Sequence, residues 1–505
     1  MVRTIKSCYL KVLFYITTIV SVFIWGILYD STSGIDYGFY LNSVQFFSNN
    51  SELVLDSQGS LYFYTISKFL NIILVKNSGE ITNFQISLVI QIVNYLYYLF
   101  GLVGIYQLMI KKGFEKNQIY LSLLILNFFP PTIYLRLTMK PEILAFALLP
   151  WSIYFLEHYF ESKDTRAKII AISLTSILLT QKASIFAMVL LSLIYIFWIE
   201  VKNFRKNIGF FTLSFLTTLF LLYENFKVFN IWLFEKNLYL SEKFTFSNWD
   251  NVAPKSFFYN FDLKNLIENP FKFVHSDSLI SITLLDTLSD YFGFFWNHYE
   301  AGNLIAFNRT EFTDNFLIQK YLPMYFSIIF SVAFYLLIII MFFISKQHRG
   351  LLLLPFIGIF ILSINSIGVP SNNFDPLTGD TFKVHYYSFL LSISFFYLVL
   401  LLISFLKKYS LFTLILIPVF LITMGFPKTY NEEYAELISN KINFTQACFL
   451  SYSEQVNCSE FYDLEINPVN IYAINSGGPN LMLTNLLLIL NVIYFYKFFH
   501  TNKKT

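Results

Sequence analysis

"KDTRAKIIAISLTSILLTQKASIFAMVLLSLIYIFWIEVKNFRK", Lys163 to Lys206, decides how this chain is laid out. Its apolar middle could form one long helix or two short ones broken at "TQKAS", since a single crossing of a bilayer takes about 20 residues and as few as about 17. Charge separates the two. Lys163, Arg166 and Lys168 lie before the apolar stretch, and Lys202, Arg205 and Lys206 lie after it. Basic loops collect on the cytoplasmic side of a membrane, so an even number of spans should separate these flanks. Two short helices satisfy the rule and place Lys182, in the break between them, outside.

The same rule orders the rest of the chain. Charge-free runs long enough to span are Val12 to Tyr29, Ile81 to Ile110, Asn117 to Leu135, Asn207 to Tyr223, Tyr321 to Ser345, Gly350 to Phe374, Val384 to Leu406, Tyr409 to Pro427 and Gly477 to Tyr496, with a further one from Glu142 to about His158. The first has Arg3 and Lys6 before it, as a secretory signal does. "WGILYDSTSG" follows with no small-x-small cleavage site, so it reads as a retained helix. The expected fold is an all-α polytopic membrane protein of about twelve transmembrane helices with both ends inside, elaborated on the outer face by juxtamembrane helices and loops. Lys111-Lys112, Lys346-Arg349, Lys407-Lys408 and Lys503-Lys504 then join the inner side.

Under this layout the inner loops are a few residues each. Four larger ones, 30–83, 224–320, 371–383 and 428–476, lie outside. Function is expected there, on a single membrane domain covering 1–505 with no internal repeat. Composition agrees: 56% of the 505 residues are hydrophobic and only 13% are charged, which excludes an ordinary soluble domain. The net charge of +3 is spread over short clusters, with no patch of the size that nucleic acid needs. Cys448 and Cys458 share the last outer loop, where an oxidising exterior would permit a bridge.

Ionisable residues are nearly absent away from span ends, which argues against a proton-coupled transporter. They gather instead at the expected outer edge: Asp36, Glu52 and Asp56 in the first loop, Arg136, Lys140 and Glu142 in "LRLTMKPEI", Lys182, and Lys383 with His385 in "GDTFKVHYY". Arg136 and Lys140, four apart, face one point if their helix continues, and would there hold a phosphate; the alternative is a pair of snorkelling cations at a span end. "HSDSLISITLLDTLSDYFGFFWNHYE" reads as an amphipathic helix on the membrane surface. Its Asp286 and Asp290 form a solvated face, with a cation or a sugar hydroxyl as the functional alternative. His275, His298 and Glu300 lack the tight spacing of zinc ligands. Asp36 precedes "YGFYLNSVQFF", an expected membrane-parallel helix, and is either its N-cap or an acid at the mouth of the bundle.

The arrangement resembles the C-type membrane glycosyltransferases, the superfamily of protein O-mannosyltransferases and lipid A aminoarabinose transferases. The family's first outer loop carries a catalytic acid, often as Asp-Glu-x-x-Tyr, ahead of a membrane-parallel helix. Asp36 and Tyr40 match, and Tyr37 stands at the second acid. "QGSLYFY", Gln58 to Tyr64, resembles the family's Pro-Pro-Leu-x-Tyr without its prolines, and His385-Tyr386 resembles a late Arg/His-Tyr. The resemblance implies sugar transfer from a polyprenyl-phosphate donor to a glycan, lipid or protein acceptor at the outer face of a bacterial plasma membrane. Asp36 would be the base. Arg136, Lys140, Lys383 and His385 would hold the phosphate, and Tyr40, Glu52, Asp56, Lys182, Asp286 and Asp290 would contact substrate. Inversion at the anomeric carbon would follow. No organic cofactor is implied, and a divalent metal stays open.

Two other classes compete. A polysaccharide polymerase or ligase would rely on outer-loop arginines, and Arg309 is the only one in the large loop. A lipid-oligosaccharide flippase would show repeated halves around a polar cavity, and the sequence shows neither.

Overall fold

The computed structural model describes residues 31, 44, 60–74, 83–179, 181–200, 209, 212–214, 216–217, 255–268, 275, 278–288, 314–345, 349–368, 384–406, 413–417 and 419–420. The elements among them are helices. They are α1 (Ser60–Leu74), α2 (Asn83–Lys111), α3 (Lys116–Leu126), α4 (Pro130–Leu137), α5 (Glu142–Ser162), α6 (Thr165–Leu179), α7 (Ala183–Glu200), α8 (Leu263–Glu268), α9 (Leu279–Asp286), α10 (Asp314–Ile344), α11 (Leu354–Gly368) and α12 (Ser388–Leu406). A 3₁₀ turn, Val384–Tyr387, leads directly into α12.

Among the described residues, four stretches are long and apolar enough to cross a membrane: Gln85–Lys111, Glu142–Ser162, Tyr325–Ile344 and Val384–Leu406. A fifth is counted if the bent pair α3 and α4 is one span. The expected spans from Val12, from Tyr409 and from Gly477 lie wholly or largely outside the described residues, as do the loop 428–476 and its two cysteines.

Between Lys163 and Glu200 the chain breaks at the expected place, into two helices that are not among the four long enough to cross. α6 ends at Leu179 and α7 begins at Ala183. The Gln181 side-chain amide donates to Ile177 O at 2.8 Å, adding a side-chain bond to the last turn of the helix. α7 restarts with Phe186 N donating to Lys182 O at 2.7 Å.

Asn117 to Leu135 departs from the expectation of one continuous span. α3 and α4 meet at 67°, because Pro130 and Pro131 bring no amide hydrogen to the ladder and Phe129, preceding proline, is extended. Thr132 Oγ1 adds to the backbone bonds at the bend, its one proton shared between Leu126 O at 2.6 Å and Phe129 O at 2.7 Å.

The core is built on α2 and α5. Gly101 and Gly104 let the two backbones approach, since a Cβ on Gly101 would sit 2.7 Å from Phe146 Cδ1 and one on Gly104 would sit 2.8 Å from Trp151 Cδ1. Tyr98 stacks on Phe146 at 5.3 Å, and Trp151 Nε1 donates to Phe100 O at 3.0 Å. α5 has 21 residues, so its ends stand about 30 Å apart. At its C-terminal end Glu157 pairs with Lys112 at 2.7 Å and Glu161 with Lys111 at 3.0 Å. α2 closes there on Gly113, whose φ of +84° suits glycine at a helix end. The α5–α6 turn, with Lys163, Arg166 and Lys168, is at this end as well.

Candidate anion site at the start of α5

At the opposite end the connector Thr138–Pro141 joins α4 to α5. It is held by Asn94 of α2, which is fully buried and donates to Arg136 O at 3.2 Å and Thr138 O at 2.7 Å. The same side chain accepts from the Tyr62 hydroxyl of α1 at 2.8 Å. Burial raises the Tyr62 pKa well above the ordinary phenol value, so Tyr62 acts as a neutral donor. One buried amide thus fixes α1, α2 and the connector together.

Lys140 projects from this connector. Its Nζ lies 3.1 Å from His385 Nε2, and since an ammonium can only donate, Nε2 is the acceptor. His385 in turn stacks on Tyr134 of α4, with centroids 5.3 Å apart, and meets Tyr386 edge-on at 4.4 Å. Lys182, from the break between α6 and α7, places its Nζ 2.8 Å from Glu142 Oε1 and 4.4 Å from the centre of the Tyr386 ring. Lys140 Nζ is 5.5 Å from that same ring. Three separate parts of the chain therefore bring Lys140, Lys182 and His385 around one tyrosine, with Glu142 as the acid beside them.

Other expected site residues are placed differently. Arg136 does not share a helix face with Lys140, because α4 ends at Leu137 and Thr138 is extended. Its guanidinium turns inward, donating to Asn127 O at 2.8 Å and lying 4.9 Å over the Tyr98 ring. Arg136 clamps the α3–α4 bend. Asp286 is also corrected. The expected surface helix around it is the short α9, and Asp286 is 5% exposed rather than solvated. Its Oδ2 accepts from Val384 N at 2.7 Å, anchoring the turn that carries His385 and Tyr386. Gly358 of α11 packs against this turn, where a Cβ would overlap Tyr387. Asp36, Tyr40, Glu52, Asp56, Asp290 and Lys383 lie outside the described residues.

Glu142 is the part of this site to which the sequence reading gave no role. Its position directly after Pro141, at the first turn of a span, was the available signal. One carboxylate and one imidazole beside two ammonium groups suit an anion better than a divalent cation, whose ligands are carboxylates and carbonyls without adjacent positive charge. Among the described residues no three His, Cys, Asp or Glu side chains stand close enough to share a metal ion. Comparison with protein-family models, with curated proteins and with solved structures gives no match for this chain.

Proposed function

We propose that this protein is a membrane glycosyltransferase that moves a sugar from a polyprenyl-phosphate donor to an acceptor at the outer face of the membrane. The supporting observation is the convergence of Lys140, Lys182 and His385 on Tyr386 at one end of the bundle. Lys111, Lys112, Lys163, Arg166 and Lys168 occupy the other end. By the basic-loop rule that other end is cytoplasmic, which turns the Tyr386 cluster outward, to the side where a lipid-linked donor presents its sugar. This orientation belongs to the reading of about twelve spans in a bacterial plasma membrane.

In this account the donor phosphate sits on Lys140, Lys182 and His385, with Lys383 close by in sequence. As the bond between the anomeric carbon and the phosphate oxygen breaks, the phosphate gains negative charge. Fixed ammonium groups in a poorly hydrated site stabilise that charge more than they stabilise the ground state. Asp36 takes the proton of the attacking acceptor hydroxyl, and direct displacement inverts the anomeric carbon. The resemblance of Asp36-Tyr40 and His385-Tyr386 to the C-type glycosyltransferases supports the same assignment.

The test is transfer by the purified protein in detergent. A panel of polyprenyl-phosphate sugars should yield lipid phosphate and inverted product on supplying an acceptor glycan extract. Transfer from a nucleotide sugar with no lipid intermediate would refute the reading.

A further inference from the structure

Within the chain itself each ammonium of the cluster already has a partner: Lys182 has Glu142, and Lys140 has His385. An anion that reaches Lys182 must share it with Glu142 or displace that acid. Glu142 is completely buried, whereas the Lys182 side chain keeps 12% of its surface exposed, so the lysine is the member that a ligand can approach. Buried carboxylates normally satisfy both oxygens. Glu142 does so with one only: Oε2 is buried and has no hydrogen-bond partner among the described residues.

We infer that Glu142 is a built-in competitor for the phosphate at Lys182, holding the lysine on Tyr386 and weakening the grip of the site on the spent lipid phosphate. The inference rests on the donor-phosphate reading above. A phosphate oxygen bonded to Lys182 at about 2.8 Å would stand within roughly 5–6 Å of Glu142 Oε1, close enough for strong repulsion in so dry a site. The repulsion acts most on the product. The donor is a phosphodiester with one negative charge, while the product monoester carries up to two. A site of ammonium groups alone would retain the product more tightly than the donor, and a carboxylate placed at Lys182 opposes this.

The sign of one substitution separates this role from simple positioning. Binding of farnesyl phosphate, a short polyprenyl phosphate, would be titrated against the purified full-length protein in detergent. Glu142→Gln should bind it about tenfold more tightly or better, in the range of measured couplings between close charges. Lys182→Met should lose at least as much affinity. Glu142→Asp draws the charge back by one methylene and should tighten binding by a smaller factor, which carries the test if the glutamine variant does not fold. Unchanged or weaker binding by the folded Glu142 variants would overturn the competitor role and leave Glu142 as a positioning residue, with the donor-phosphate reading intact. No binding by the wild type would overturn that reading and this inference with it.

Discussion

Lys140 Nζ and His385 Nε2 lie 3.1 Å apart although 245 residues separate them in the chain. The contact joins the connector before α5 to the turn before α12, and each partner is held from a different direction. Asn94 fixes the connector through Thr138, and Asp286 fixes the turn through Val384. Pre-positioned groups of this kind lose little entropy when they meet a ligand, which is how a cationic site gains strength from rigidity.

The Lys182–Glu142 pair supplies a stability prediction. Lys182→Ala removes the ammonium from a fully buried acid and should cost about 3–5 kcal/mol, the scale for a broken buried pair. Replacing both, as Lys182→Met with Glu142→Leu, should recover much of that loss. Thermal melting of the detergent-solubilised variants measures it, and losses that simply add would show that the two side chains are not coupled.

Asn94→Leu tests the anchor of the site. The substitution strips partners from the Tyr62 hydroxyl and from the carbonyls of Arg136 and Thr138, all at 2.7–3.2 Å from Asn94. Thr138 O keeps the Lys140 amide at 3.0 Å, so the loss falls most on the Tyr62 hydroxyl, whose proton loses its acceptor; a buried polar group left without a partner costs about 1–3 kcal/mol. The variant should melt lower and should also lose transfer, because Lys140 rides on the same connector. Full activity in a destabilised variant would place the site elsewhere.

The helical character of the chain and one of its breaks were legible in the sequence. The break at Lys182 follows from basic flanks on both sides of one apolar stretch. The bend at Pro130 was written in the sequence too, yet the long charge-free run around it outweighed two prolines. Asp286 could not have been read. Its i,i+4 relation to Asp290 marks a polar face, while its burial depends on a backbone amide 98 residues away. Spacing alone offered Arg136 and Lys140 as a pair, while Lys140 and His385, 245 residues apart, were grouped through the family resemblance.

Orientation is open to direct labelling. Single cysteines at Ser162 and Asn203 should react only with reagents that cross the membrane, and a cysteine at Lys182 should react from outside. Strong outside labelling at Ser162 would invert the account and turn the Tyr386 cluster toward the cytoplasm.

Asp36→Asn isolates the proposed base. Asparagine keeps the shape and can still cap a helix, so a capping role predicts little loss. General-base catalysis contributes about 10²- to 10⁴-fold, and turnover should fall by at least two orders of magnitude at normal protein abundance. Retention of more than about a tenth of wild-type turnover would exclude the assignment by the same scale.

The most direct measurement is to cross-link a polyprenyl phosphate with a photoreactive group beside its phosphate to the full-length protein and map the adducts by mass spectrometry. The account predicts adducts at Tyr134 to Glu142, Gln181 to Ser184 and Val384 to Tyr387, competed away by unlabelled lipid phosphate. Competable adducts confined to the opposite end, around Lys111-Lys112 and Lys163 to Lys168, would contradict it.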